Sequence, residues 1–165
     1  MRILGIDPGT RYCGYGVVEV TGPRSVRYLE CGVLEPLRAG SLAARLAEIA
    51  DGIREVLVEL SPEVVAVEGV FHGVNARSAL QLGHARGVAL AMAGAAGLQV
   101  FEYAPSTVKR AVTGSGAATK SQVQTMVRTL CALKSTPRVD ASDALAVALC
   151  HAMRGRVASL TRSKA

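Results

Sequence analysis

Tryptophan is absent from this chain, and other aromatics are scarce: two phenylalanines and four tyrosines among 165 residues. A core built with so few large rings must come from aliphatic side chains, so an aromatic outside an apolar run is conspicuous. Cys13, Cys31, Cys131 and Cys150 show no CxxC spacing and sit singly in apolar surroundings. That pattern excludes the usual zinc signatures and reads as reduced, buried thiols. No apolar run approaches the roughly 20 residues a bilayer helix needs; the most apolar stretch, Gly87 to Leu98, is shorter. The N-terminus does not resemble a signal peptide, because the apolar run after Arg2 stops at Asp7. A cytoplasmic protein is expected.

Acids are also missing where they would be most noticed. Residues 1–103 carry nine Lys/Arg and eleven Asp/Glu, a balance of −2, whereas residues 104–165 carry ten Lys/Arg against only Asp140 and Asp143, a balance of +8. The net charge of +6 is therefore concentrated in the last third. Such a basic segment is the footprint expected of phosphate binding, although a solvated basic face would look the same from charge alone.

What is present reads as one domain with half its residues hydrophobic, enough for a substantial core. Met1 to Ile6 reads as a strand ending in the loop Asp7-Pro8-Gly9-Thr10, followed by strands over Gly14–Val20 and Ser25–Leu34 with a turn at Thr21-Gly22-Pro23. Leu42, Leu46, Ile49, Ile53, Val56 and Leu57 then recur at helical spacing behind a Ser41 N-cap, and Pro62 closes that helix. Val64–Val67 is a β-branched run typical of a strand buried on both faces, and it ends in Glu68. A helix is expected from about Asn75 to Ala96, a strand over Gln99–Tyr103, and helices over Thr119–Leu133 and Val139–Met153. Antiparallel strands first and strand–helix alternation later predict an α/β fold with a mixed sheet covered by helices. Residues 1–153 are read as the domain and 154–165 as a basic, flexible tail.

In the second helix, Gly83, Gly87, Ala91 and Gly94 fall along one face. That face could pack on the domain's own sheet or form a contact between two copies of the chain.

Four acids stand out at the ends of elements. Asp7 closes the first strand just before a Pro-Gly turn, where it could equally cap its own backbone. Glu68 follows four apolar residues directly, and a charge there must reach solvent, a partner or a metal. Asp140 and Asp143 share a helix face near the start of the last helix. Capping explains one of them cheaply and two less well. Oxygen ligands without clustered histidine or cysteine suit hard ions such as Mg²⁺ or Mn²⁺. Two such ions about 4 Å apart can activate a water and stabilise the leaving oxygen of a phosphodiester.

The segments ILGIDPGTRYCGYGVV at 3–18, VVAVEGVFHGVNARSALQLGHARG at 64–87, YAPSTVKRAVTGSGAATKSQVQTMV at 103–127 and DASDALAVALCHA at 140–152, in this order, resemble the RuvC-type Holliday junction resolvases. The resemblance implies a ribonuclease H-like mixed five-stranded sheet flanked by helices. It implies an endonuclease that makes paired symmetric nicks in four-way DNA junctions, leaving 5′-phosphate and 3′-hydroxyl ends, in recombination and DNA repair. The family's catalytic, metal-holding acids fall on Asp7, Glu68, Asp140 and Asp143, with Mg²⁺ or Mn²⁺, two ions per site, as cofactor. Its basic residues near the scissile phosphate fall on Lys109 and Lys120, and its base-stacking aromatic on Phe71. Asn75, Arg77 and Ser78 are the polar neighbours expected to touch DNA. A homodimer, with the second helix at its contact, and the RuvA–RuvB branch-migration complex are the implied partners.

The residues themselves agree with these placements. Phe71 lies in a Gly- and Asn-containing stretch, where an exposed ring could stack on a base, though a ring tucked under a loop remains the alternative. Gly114 and Gly116 flank Ser115 between two basic positions, a flexible loop that could let Lys109 and Lys120 close on a backbone. His72 is read as a loop residue that at most contacts DNA, and His84 and His151 as surface or packing residues. Three rival classes share parts of this pattern. An actin-like phosphotransferase would share the Asp-x-Gly-Thr turn but needs two domains and a second phosphate loop. An inert junction binder would have no use for converging carboxylates. A ribonuclease H acting on RNA–DNA hybrids would share the fold and acids, and only the longer motifs separate it.

Overall fold

The computed structural model describes residues 1–23, 25–37, 40–69 and 76–162, with the backbone alone for Arg77 and for 155–162. Its strands are β1 (Arg2–Asp7), β2 (Cys13–Gly22), β3 (Ser25–Leu34), β4 (Val64–Glu68) and β5 (Gln99–Tyr103). They form one sheet in the order β3-β2-β1-β4-β5. β1, β2 and β3 pair antiparallel, while β1, β4 and β5 run parallel. The mixed sheet expected from the sequence is therefore present, and its central parallel strands β1 and β4 are buried, whereas the edge strand β5 is partly exposed. Val65, Ala66 and Val67 of β4 are wholly inaccessible.

Helices α1 (Leu42–Leu60) and α2 (Ala76–Ala95) cover one face, and α3 (Pro105–Thr113), α4 (Lys120–Leu130) and α5 (Val139–Arg162) cover the other. The period of two along each strand decides who meets whom. Leu4 and Ile6 pack with Ile49 and Ile53 of α1, while Ile3 packs with Leu145 and Leu149 of α5. Asp7 shares the α5-facing side with Ile3 and Gly5.

Ser41 caps α1 as its sequence suggests, its side chain accepting from the Ala44 amide at 3.2 Å. The helix stops at Ser61, which adopts a left-handed conformation just before Pro62. α4 ends three residues earlier than its periodicity suggests. Ala132 takes a positive φ of 51°, and the Leu133 amide turns back to the Arg128 carbonyl at 2.9 Å. α5, expected to close at Met153, continues to Arg162, so the backbone of most of the basic C-terminal segment belongs to this helix.

α2 settles one alternative. Its sheet-facing residues are Ala85, Ala89 and Ala93, all at most 1% exposed. Gly83, Gly87 and Gly94 look away, with no atom within 4 Å of where a Cβ would stand. The small-residue stripe does not serve packing on the domain's own sheet.

α5 lies unusually close to the sheet because three glycines floor its track. A Cβ on Gly5 would stand 2.1 Å from the Ala144 carbonyl oxygen, one on Gly14 2.1 Å from that of Asp140, and one on Gly16 2.7 Å from Leu145 Cγ. These are close approaches that only glycine permits.

Candidate active site

Asp7 is the last residue of β1 and Glu68 the last of β4, and the two strands are parallel neighbours with Ile6 paired to Val67. Their carboxylates thus emerge side by side at the carboxyl ends of adjacent strands. Asp140 lies in the first turn of α5, which opens at Val139, and Asp143 follows one turn later. The register partner of Asp7 on β2 is Gly14, and the Asp140 carbonyl lies directly over Gly14. The bare backbone there lets the acidic end of α5 descend onto Asp7.

The electrostatics follow from this packing. Burial, and then the charges of Glu68, Asp143 and Asp140, push the Asp7 carboxyl up to about 8 against a small opposing pull from Lys120. Burial and Asp143 likewise raise Glu68, which is hydrogen-bonded to Asp7. Burial and mutual repulsion thus disfavour full ionisation of the Asp7–Glu68 pair when no cation is bound. Asp143 is raised chiefly by burial and eased by Lys120, whose Nζ lies 3.2 Å from Oδ2. Burial pulls the Lys120 ammonium down, but Asp143, Asp7 and Glu68 outweigh it and hold it above the usual lysine range.

Lys120 is fixed by its position as the first residue of α4. There Thr119 and Gln122 form a reciprocal capping box, with bonds of 2.8 and 3.3 Å. Lys109, on α3, is near enough for its charge to bear on both Glu68 and Asp143. A cavity of about 190 Å³ is lined by Glu68, Asp143, Lys109 and Lys120. A second, of about 370 Å³, opens on the other side of the acids and is lined by Asp7, Asp140, Ser78 and the Pro8–Tyr12 loop. The site is thus a cleft with acids along its floor, two lysines on one bank and Ser78 on the other. The loop between the lysines is more ordered than its glycines suggest. Gly114 caps α3 at φ 83°, and the Thr113 hydroxyl donates to the Lys109 carbonyl at 2.8 Å while accepting from the Ser115 amide at 3.2 Å.

Among the described residues, no three Asp, Glu, His or Cys side chains are already gathered at a spacing that would hold a metal ion. The donor set nevertheless fits a hard divalent cation. It consists only of oxygen ligands, buried together at a cost that the ammonium of Lys120 eases.

Phe71, His72 and Asn75 lie outside the described residues, as does the side chain of Arg77. His151 is a packing residue, as expected. It is buried, its Nδ1 lies 2.8 Å from the Tyr103 hydroxyl, and its ring centroid is 4.4 Å from that of Phe101. His84 is partly covered, its Nδ1 buried without a hydrogen-bond partner among the described residues. The four cysteines are free, and burial pushes the Cys13 thiol up to about 12, which makes it inert.

Sequence reasoning overlooked two structural supports. One is the glycine floor, whose signal was the alternation Gly14-Tyr15-Gly16 on one strand face. The other is Arg138, just before α5, which pairs with Glu35 and lies 5.3 Å over the Tyr12 ring, tying the acidic end of the helix to the sheet.

A ribonuclease H-like sheet with acids at the ends of its central strands and at the start of the helix above them defines a nuclease-type scaffold. Comparison with known proteins narrows the class. The RuvC model, described as crossover junction endodeoxyribonuclease RuvC, matches residues 3–151. Crossover junction endodeoxyribonuclease RuvC of Chromohalobacter salexigens is 49% identical over 162 residues, covering 98% of this chain and 86% of its own length. That of Halorhodospira halophila is 52% identical over 151 residues, covering 92% and 89%. Among solved structures, T. thermophilus RuvC in complex with Holliday junction substrate is similar with a TM-score of 0.89 and 39% identity, covering 96% of this chain and 97% of that one. This chain belongs to the RuvC family of crossover junction endodeoxyribonucleases.

Proposed function

We propose that this chain resolves four-way DNA junctions by metal-dependent phosphodiester hydrolysis at the Asp7–Glu68–Asp140–Asp143 cleft. The carrying observation is the convergence of Asp7 and Glu68, at the ends of two paired parallel strands, with the acidic start of α5 beside Lys109 and Lys120. Four carboxylates in such a place repel one another and DNA alike, so the arrangement makes sense as a cation site. Mg²⁺ or Mn²⁺, two per site, would activate a water and stabilise the leaving oxygen of the in-line displacement.

The residues divide the remaining work. Asp7 and Glu68 from the strand ends, with Asp140 and Asp143 from the helix, would hold the metal. Lys120 leaves Asp143 for the phosphate, where its charge offsets that of the pentavalent transition state. Lys109 faces the same strand from the α3 side. Phe71 stacks on a junction base, and Asn75, Arg77 and Ser78 contact the DNA beside it. Ser78 lines the same cavity as Asp7 and Asp140, which supports its part.

A homodimer would supply two such clefts for paired nicks, and α2's outward small-residue face is the surface that fits the contact. The RuvA–RuvB complex is the partner proposed for delivery of the junction. Cytoplasmic location goes with that role, and no helix among the described residues is long and apolar enough to cross a membrane. Asp7→Asn tests the assignment. It should abolish cleavage of a synthetic junction while leaving junction binding in place, and a variant that still cuts at the normal rate removes Asp7 from the site.

A further inference from the structure

The Asp7 cleft extends beyond its acids, and its far bank is cationic. Of the arginines in the first 103 residues, Arg2 and Arg27 pair with Glu19, Arg54 with Asp51 and Arg86 with Glu102. Arg24, Arg38 and the side chain of Arg77 lie outside the described residues. That leaves Arg11 and Arg45, neither of which has an acidic partner among the described residues. Both line the cavity of about 370 Å³ that contains Asp7 and Asp140. Both also line an adjoining cavity of about 240 Å³ with Tyr12 and Pro36. Arg45 is tethered by one edge, its Nη1 donating to the Gly40 carbonyl at 3.2 Å, while its Nε is buried with no acceptor among the described residues.

We propose that Arg11 and Arg45 form a second phosphate-binding subsite, holding the backbone phosphodiester that flanks the scissile one on the α1 side of the cleft. The inference rests on the proposed nuclease reading and specifies how the cleaved strand is laid across it. A planar guanidinium with one edge fixed presents its other donors as a fork that matches two phosphate oxygens, which a lysine would not do. The lysines Lys109 and Lys120 stand on the opposite bank, lining the cavity with Glu68 and Asp143. A strand held at both banks passes over the acids in one register, so the subsite acts by positioning. It takes a phosphodiester, and no base identity enters its chemistry.

The test is a single-turnover cleavage series on four-way junctions carrying one neutral methylphosphonate, moved stepwise through the phosphates either side of the cut. Wild-type protein should slow by about ten-fold or more at one flanking position, the scale of one lost charge-assisted contact. Arg45→Ala should be slow on the unmodified junction by a similar factor and indifferent to the methylphosphonate at that position, with Arg45→Lys recovering part of the rate. Arg11→Ala repeats the test on the more exposed partner should Arg45→Ala fold poorly. Arg45→Ala cutting at the wild-type rate overturns the proposal. So does a variant that remains as sensitive to the methylphosphonate as wild type, because its loss would then be structural. Absence of metal-dependent junction cleavage by the wild-type chain would instead overturn the nuclease reading itself.

Discussion

At the residue scale the site is a balance of charge against burial. Asp7 has an ordinary carboxyl pKa when unfolded and about 8 when folded without metal. The folded state therefore binds more protons than the unfolded state across that window, so the metal-free protein loses stability as pH rises from about 4 to 8. Below the unfolded value this destabilising effect vanishes, and above about 8 it is complete. Asp7→Asn removes it. The variant should melt higher than wild type in chelator at pH 8, with the gap closing towards pH 4. Each 1 kcal/mol relieved is worth about 2–4 °C in a chain of this size. Calorimetry across pH checks this, and equal melting temperatures at pH 8 would mean Asp7 is not under strain from its neighbours. Asp7 and Glu68 were legible as residues, because acids ending apolar runs are rare. Their mutual repulsion was not, since it depends on which strands become neighbours.

At the element scale, α5 is the part that assembles the site, and its placement depends on the sheet beneath it more than on its own sequence. The strand pattern along β1, β2, β4 and β5 could be read directly from alternation and β-branching. The boundaries of α4 and α5 could not. α4 ends where Ala132 turns left-handed, and α5 outruns Met153, continuing through Gly155 with no proline to stop it. The glycine floor was missed because a glycine within a strand usually signals weakness rather than close approach. Its importance can be measured with Gly14→Ala, whose Cβ would stand 2.1 Å from the Asp140 carbonyl. The start of α5 must lift, carrying Asp140 away from Asp7. A misplacement near 1 Å can cost about 10²-fold in rate, so the expected outcome is a folded protein with intact far-UV dichroism and cleavage slowed on that order. Unchanged cleavage would mean that α5 tolerates displacement and the floor only fills space.

At the scale of the whole molecule, charge and surface divide the labour. The acidic cleft lies between banks that carry cations, and the net positive charge is concentrated in the last third of the chain. Among the described residues, the outward stripe of α2 meets no other element, with Leu80 63% exposed on the same face as Gly83 and Gly87. From sequence alone that stripe could have belonged to the core. The alanines at 85, 89 and 93 take the core side instead, and it is the sheet that decides this. Because Gly87 has open space around it, Gly87→Arg should leave the fold intact. If the stripe joins two chains, light scattering should show a shift from dimer to monomer, and junction cuts should become unpaired single nicks. A Gly87→Arg protein that remains dimeric would place the contact elsewhere.

The central claim is that this cleft cuts four-way junctions with metal. It is tested most directly by strand cleavage of a synthetic junction, alongside matched duplex and RNA–DNA hybrid, with and without Mn²⁺, by the wild-type chain and by Glu68→Gln. Paired, symmetric, metal-dependent nicks confined to the junction and absent from Glu68→Gln are the predicted result. Cleavage of the hybrid alone, or tight junction binding with no cleavage in any metal, would contradict it.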